Sequence, residues 1–301
     1  MLAKILLSVR PWSFTMTAGV VISAITLAFY YDYPVDITLA LLALVGAVLL
    51  HAFVNWFNDY GDYVMGVDRV GVGTSIYRPH LLVEGALGTR QILMLSFSSA
   101  VISIAIGLYI ALSGRPLVIP IGVAGFLLGL LYSIPRMGFK YNALGELAVF
   151  LAFGPLMFLG SFYATTGFVD LRALIASAPL GMLITAVLLA NNIRDIETDS
   201  RSGIKTLATT LGLKRSTIVY SILLLGSIAY TIALIALRVL PVASIATILV
   251  LPLAINLTRT FLSSEIPVDS DPKTARIVLL YSILLIASLL IAILLNKWGV
   301  L

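Results

Sequence analysis

Two groups of carboxylates and carboxamides in this 301-residue chain are spaced to act together. In the stretch NWFNDYGDYVMGVD, Asn55, Asn58, Asp59 and Asp62 fall at i, i+3, i+4 and i+7, on one face of a helix. Asp68 follows beyond Gly66, in the loop. In NNIRDIETDSRSGIKT, Asn191, Asp195 and Asp199 recur every four residues, with Asn192 flanking them. Carboxylates four apart on a helix repel by a few tenths of a kcal/mol, order of magnitude. Two such faces opposed across one cavity repel further unless cations sit between them. Neither cluster contains His or Cys, and oxygen-only donor sets select hard cations, Mg²⁺ above all. That ion keeps several waters and completes its shell with substrate phosphates. The chemistry these residues suit is a clamp of Mg²⁺ on a diphosphate, with the loop Lys and Arg as further partners of the anion.

A clamp of this kind needs rigid elements to face its two halves toward each other, and the composition says what they are. The chain is 60% hydrophobic and 11% charged, with a mean hydropathy of +1.08, whereas soluble domains are about 25% charged. It lives in a bilayer. Nine uncharged runs reach the length of about 20 residues that a spanning helix needs: 11–31, 37–58, 91–114, 116–135, 147–169, 173–193, 216–237, 239–258 and 277–296. Barrel strands would be about half as long and would alternate in polarity. Lys4 and Arg10 resemble the basic start of a signal peptide, but the run after them is too long for a signal core and no Ala-x-Ala site follows, so it is expected to stay as the first helix.

With the N-terminus in the cytoplasm, that side collects 15 of the 19 Lys and Arg and every long loop. Basic loops face the cytoplasm, so the C-terminus is expected outside and the clamp at the cytoplasmic mouth. The fold class expected is an all-α polytopic membrane bundle of nine helices around a central cavity, forming a single domain over 1–301. Each acidic cluster ends an even-numbered run, and Asp59 and Asp195 are 136 residues apart. This suggests two four-helix halves, about 1–145 and 146–262, plus a ninth helix, with the apolar interior holding a lipid tail. The net charge of +5 suits loops facing an anionic membrane surface, and no nucleic-acid partner is expected.

The remaining polar and special residues read more plainly. His51 lies inside the second run and is read as a packed neutral imidazole without a role, and Arg10 as a topological charge. Pro120, Pro155, Pro179 and Pro252 are expected to kink helices. Gly125, Gly129 and Gly154 are expected at close helix contacts. A secondary transporter would place carboxylates at the midplane. An intramembrane aspartyl protease needs only two acids sharing a proton, and a CDP-alcohol phosphotransferase would gather its acids in one motif. Here at least four acids are split between two motifs at one face.

At these residues the chain resembles the UbiA superfamily of intramembrane prenyltransferases. NDYGD with Asp68, and NNIRDIETDSRSGIKTLA, look like its two aspartate-rich motifs. LYSIPRMGFKYNALGE followed by FGPLMFLGSFY, and the NNxRDxExD wording, resemble the branch that makes menaquinone and related quinones. Arg10-Pro11, and Arg78-Pro79 with Gly85, also match family habits. Many members place the third acid of the first motif where this chain has Gly66, and Asp68 stands in for it. The resemblance implies Mg²⁺-dependent transfer of a polyprenyl group from its diphosphate to an aromatic carbon, with 1,4-dihydroxy-2-naphthoate as acceptor. The alternatives are hydroxybenzoate or geranylgeranylglycerol phosphate. It implies a metal set of Asn58, Asp59, Asp62, Asp68, Asp195 and Asp199, holding two Mg²⁺ ions. Asn55, Arg78, Lys140, Tyr141, Asn191, Asn192 and Arg194 are implied as substrate-binding. Tyr132 is the candidate to face the allylic cation, because a desolvated ring face stabilises a cation by about 2 kcal/mol.

Overall fold

Long apolar stretches that must satisfy their own backbone in hydrocarbon have only the helix available to them. In the computed structural model the chain is accordingly all-helical. The structure describes residues 2–68, 80–263 and 266–297. The helices are α1 (Leu2–Ser8), α2 (Phe14–Tyr30), α3 (Ile37–Val64), α4 (Thr89–Leu112), α5 (Val118–Ser133), α6 (Gly145–Leu151), α7 (Met157–Thr166), α8 (Leu171–Ala176), α9 (Ala178–Arg194), α10 (Ile196–Arg201), α11 (Leu207–Leu211), α12 (Leu213–Ala236), α13 (Leu251–Leu262) and α14 (Ser270–Lys297). Counting helices joined end to end as one span, eight among the described residues are long and apolar enough to cross a membrane. The ninth expected run, 116–135, yields only the 16-residue α5. Pro135 excludes helical backbone at Ile134, which is extended (φ −56, ψ 124). The protein is a multi-pass helical membrane protein.

The interior is centred on α9, which packs against α6, α12 and α14 and whose Leu180, Leu183 and Leu189 are fully buried. α3 and α4 pack along each other, and Phe53 of α3 stacks on Phe126 of α5 at 5.1 Å. Large apolar side chains on the outer faces stay exposed, Val101 at 64% and Leu249 at 71%, as a hydrocarbon solvent permits.

Three departures from straight helices shape the interior. Pro155 lies in a wide turn, Ala152–Leu156, that joins α6 to α7. Its missing N–H explains the break. Pro179 begins α9 after α8 has ended, and residues Val242–Val250 run as a tighter 3₁₀ helix into α13. The expected kink at Pro155 is therefore present, within a single span.

α3 does the most to position the site. Asp36 caps its start by accepting from the Leu39 N–H at 3.0 Å. Its 28 residues rise about 42 Å at 1.5 Å each, more than the roughly 30 Å of a hydrocarbon core. The last turns, with Asn58 and Asp62, thus project past the apolar layer. They can approach α5 closely because residue 61 is glycine: a Cβ there would lie 2.4 Å from the Ser133 carbonyl oxygen.

Candidate active site

The two acidic clusters line one cavity of about 640 Å³. Asn58, Asp62 and Asp68 form part of its polar mouth, and Asn191, Asn192, Asp195 and Asp199 another part. Below them the wall is mostly apolar, with Leu50, Gly125 and Gly129 from α3 and α5, Leu156 from the Pro155 segment and Gly160 from α7. Asn55, Asn58, Asp59 and Asp62 are all buried. At 100° per residue, Asn55, Asn58 and Asp62 fall on one side of α3 and Asp59 about 100° away from Asn58. Asp59 accordingly does not line the cavity.

The second cluster is not one continuous helical face, as its four-residue repeat suggested. α9 ends at Arg194 and α10 begins at Ile196, with Asp195 at the junction (φ −94, ψ 11). Hydrogen bonds from the Asp195 N–H to the Asn191 carbonyl and from the Asp199 N–H to the Asp195 carbonyl bridge the break, so the repeat survives it.

Most of the acids already hold a basic side chain. Lys140 donates to Asp62 Oδ2 at 2.5 Å and to Asn58 Oδ1 at 2.9 Å, and itself lines the cavity. Tyr141 donates to Asp62 Oδ1 at 3.0 Å. It does not line the cavity, so it supports Asp62 from behind. Burial and the Asp62 charge push the Tyr141 hydroxyl well above its ordinary value, which keeps it a donor. Arg194 pairs with both oxygens of Asp195, with Asn191 Oδ1 at 2.8 Å and with Asp271 at the start of α14. It too stands behind the wall. Tyr132 lines the cavity, and Asn192 lines it while donating to Glu146 Oε1 at 2.9 Å. Arg78 lies outside the described residues.

Arg10 differs from its reading as a topological charge. Its guanidinium reaches Asp59 Oδ1 at 2.7 Å and lines the cavity. Its backbone is left-handed (φ 60), costing roughly 1–2 kcal/mol for a non-glycine residue. His80, which nothing in the two motifs signalled, is buried beside the first cluster. Its Nε2 lies 3.0 Å from Asp68 Oδ2, and one ligand atom from each of Asp59, Asp68 and His80 falls within 4.8 Å of the others. The first cluster is therefore not oxygen-only. Burial raises the Asp68 carboxyl, but His80, Lys140 and Arg10 outweigh it and hold the group below its ordinary range.

Asp199 stands apart. Among the described residues no basic side chain makes a hydrogen bond to its carboxylate. Burial, with the charges of Asp195 and Asp62 added against the pull of Lys140 and Arg194, pushes its carboxyl up to about 7. An anionic wall whose members resist ionising together is a fit for a divalent cation. The donors facing the cavity, Asn58, Asp62, Asp68, Asp195 and Asp199, are all oxygens.

A profile of the UbiA prenyltransferase family matches residues 18–271. Over 208 residues the chain is 33% identical to the 1,4-dihydroxy-2-naphthoate octaprenyltransferase of Bacillus subtilis (strain 168), covering 68% of this chain and 65% of that protein. Over 186 residues it is 39% identical to the enzyme of the same description from Mycobacterium tuberculosis, covering 62% of each. The matched stretches span just under two thirds of these relatives. The fold is similar to that of a UbiA homolog from Archaeoglobus fulgidus bound to GPP and Mg²⁺, with a TM-score of 0.66 and 18% identity over 96% of this chain and 99% of that one.

Proposed function

Because this chain belongs to the UbiA prenyltransferase family, we propose that it transfers a polyprenyl group from an allylic diphosphate to an aromatic acceptor, 1,4-dihydroxy-2-naphthoate. The observation that carries this reading is the meeting of two acidic helix ends and their basic partners at the mouth of one long apolar cavity. The naphthoate acceptor rests on the two relatives and on the Lys140–Glu146 segment and second motif.

In this reading Asp62, Asp68, Asp195 and Asp199 hold Mg²⁺, with Asn58 and Asn191 assisting and Asp59 steadied by Arg10. Bound there, the metal would neutralise the charge that builds on the departing diphosphate. Lys140 and Arg10, which hold the carboxylates in the structure, face the cavity and can turn to the diphosphate. As the allylic C–O bond breaks, its electron pair leaves with that anion. Tyr132 faces the allylic carbon and stabilises its positive charge, in a cavity whose apolar wall keeps water away. The electron-rich ring carbon then forms the C–C bond, and the carboxylate it carried leaves as carbon dioxide, returning its electron pair to the ring. No strong protein base is required.

The polyprenyl tail lies along the glycine-rich wall of α5. The two acidic clusters belong to two four-helix halves, about 1–145 and 146–262, followed by α14. The mouth faces the cytoplasm, the N-terminus inside and the C-terminus outside.

The test supplies detergent-purified protein with geranylgeranyl diphosphate, Mg²⁺ and three acceptors together: 1,4-dihydroxy-2-naphthoate, hydroxybenzoate and glycerol phosphate. Mass spectrometry should find a decarboxylated prenyl-naphthoquinol as the main product. A prenylated hydroxybenzoate that keeps its carboxylate, or an ether of the glycerol phosphate, would overturn the choice of acceptor. No prenylated product at all would overturn the activity.

A further inference from the structure

Beneath the acidic mouth the cavity wall is mostly apolar; besides the separate hydroxyls of Ser103 and Ser161, its polar side chains gather in one patch, where Ser13, His51 and Asn55 meet. His51 lies one helical turn below Asn55 and eight residues before Asp59, about 12 Å down the axis of α3. Its ring is held edge-on between Phe14 and Phe153, each with its centroid 5.4 Å away. Phe153 also lines the cavity.

The hydrogen bonds decide what this patch offers a ligand. Ser13 spends its proton on the Arg10 carbonyl at 2.7 Å, so its Oγ is an acceptor toward everything else. Asn55 Nδ2 donates to that Oγ at 3.1 Å and to the Val9 carbonyl at 2.8 Å, which uses both amide hydrogens. The oxygen Oδ1 is the atom Asn55 has left for a ligand. His51 Nδ1 lies 2.7 Å from Thr17 Oγ1, and Nε2 lies 3.4 Å from Ser13 Oγ. Because Ser13 can only accept, the tautomer this network selects carries its hydrogen on Nε2 and takes the Thr17 proton on Nδ1. At 3.4 Å the Nε2–H is poorly used. The wall thus presents a hydrogen-bond acceptor, Asn55 Oδ1, and a donor, His51 Nε2–H, one turn apart beside an aromatic face.

We infer that this patch is the subsite for the aromatic acceptor, a ring bearing a hydroxyl and a neighbouring second oxygen: the hydroxyl donates to Asn55 Oδ1 and the other oxygen accepts from His51 Nε2–H. The inference rests on the aromatic-prenylation reading. A prenyl tail has no polar atom and would leave both groups unpaired, at a cost in affinity. A ring held on the patch by these two oxygens reacts through its face, so the carbon beside them is presented face-on to the allylic carbon under the clamp. Tight coupling of Thr17, Ser13 and the two phenylalanines to His51 means the donor is aimed before the acceptor arrives.

The experiment measures steady-state kinetics and, separately, binding of the fluorescent acceptor analogue 1-hydroxy-2-naphthoate without any prenyl diphosphate. His51→Leu should raise the acceptor KM and weaken analogue binding by about tenfold or more, the worth of one hydrogen bond to a polar or charged group. The KM for geranylgeranyl diphosphate and the Mg²⁺ dependence should not move. His51→Gln, which keeps a donor, should recover most of the loss. Thr17→Val, which removes the group fixing the tautomer, should show a smaller rise of the same kind, and it covers the case in which His51→Leu does not fold. Unchanged acceptor KM and unchanged analogue binding in these variants would overturn the subsite. A rise confined to the diphosphate KM would also overturn it, by placing His51 against the tail. Should the wild-type protein prenylate no aromatic compound, the reading of its activity falls, and the fluorescence titration still decides the subsite: binding lost in His51→Leu upholds it and equal binding ends it.

Discussion

Lys140 Nζ lies 2.5 Å from Asp62 Oδ2, so the connection that follows α5 is tied directly to the C-terminal end of α3. The same ammonium reaches Asn58 Oδ1, and Tyr141 takes the second carboxylate oxygen, so Asp62 is held on both oxygens before any ligand binds. Its side chain is 6% exposed and that of Lys140 21%. The pair is electrostatically stiff and sits at the cavity mouth, where stiffness serves alignment of the leaving group.

Removing one member should therefore cost both stability and turnover. Asp62→Ala leaves the Tyr141 hydroxyl without its acceptor and the ammonium with Asn58 Oδ1 but no counter-charge there, an expected loss of about 1.5–3 kcal/mol. Turnover should fall about 100-fold or more, as for the loss of one preorganised electrostatic contact. The double variant Asp62→Asn with Lys140→Met should regain most of the lost Tm and none of the activity. Thermal melts of purified protein, read beside the product assay, separate the two effects. A double variant no more stable than Asp62→Ala would show that the two side chains are not coupled.

Asp199 should behave in the opposite sense. Its carboxyl is pushed up to about 7, above the ordinary aspartate value it has when unfolded. The folded state therefore binds more protons than the unfolded state from about pH 4 to about 7, and the metal-free protein loses stability as pH rises through that window. A divalent cation replaces the proton, so Mg²⁺ should bind more tightly, and raise Tm by more, above about pH 7 than below it. Asp199→Asn should stabilise the metal-free protein at high pH, flatten both dependences and nearly abolish turnover. Equal Mg²⁺-induced Tm shifts at about pH 6 and about pH 8 would contradict this.

How these residues meet explains what a reading of the sequence could reach. The faces carrying Asn58 with Asp62, and Asn191 with Asp195 and Asp199, follow from helical spacing. Apolar runs bounded by charge gave the helices and their common end. Tyr132, at the end of the fourth apolar run, and Lys140, in the segment after it, both line the cavity. What stayed hidden is contact between segments distant in the chain. Asp271 meets Arg194 from 77 positions away, and His80 closes on Asp68 from 12 positions away. Arg10 reaches Asp59 only because the left-handed turn before Pro11 aims it there. Local periodicity holds none of this, because it is set by which loop folds over the mouth. The shortness of α5 was legible in Pro135, and the junction at Asp195 was not.

Arg10 distinguishes a topological charge from a working one. Arg10→Lys keeps the positive charge on the same side, so the orientation should be retained. A lysine has no planar fork with which to hold Asp59 and reach into the cavity. Turnover should drop at least about tenfold, with a raised KM for the allylic diphosphate, while Arg10→Ala should lose more and lower Tm by leaving buried Asp59 without this partner. Wild-type kinetics in Arg10→Lys would return the residue to a purely topological role.

The orientation itself can be read with cysteines, since the sequence has none. By the sequence, 15 of its 19 basic residues are expected on the side of the acidic mouth, and that side is expected to face the cytoplasm. Single cysteines at Met137 and Ser202, both exposed on that side, should react with an impermeant thiol reagent only when the cytoplasmic face is opened to it. Ones at Ser113 and Leu171, exposed at the other ends of α4 and α8, should react in intact cells. None of the four positions carries a hydrogen bond of the site, so the protein should keep its activity throughout. Reversal of all four would invert the protein in the membrane and leave the cavity intact. Labelling of Met137 and Ser202 from opposite faces would be fatal to the shared mouth, because the segment after α5 and the segment after α9 could not then supply Lys140 and Asp199 to one diphosphate.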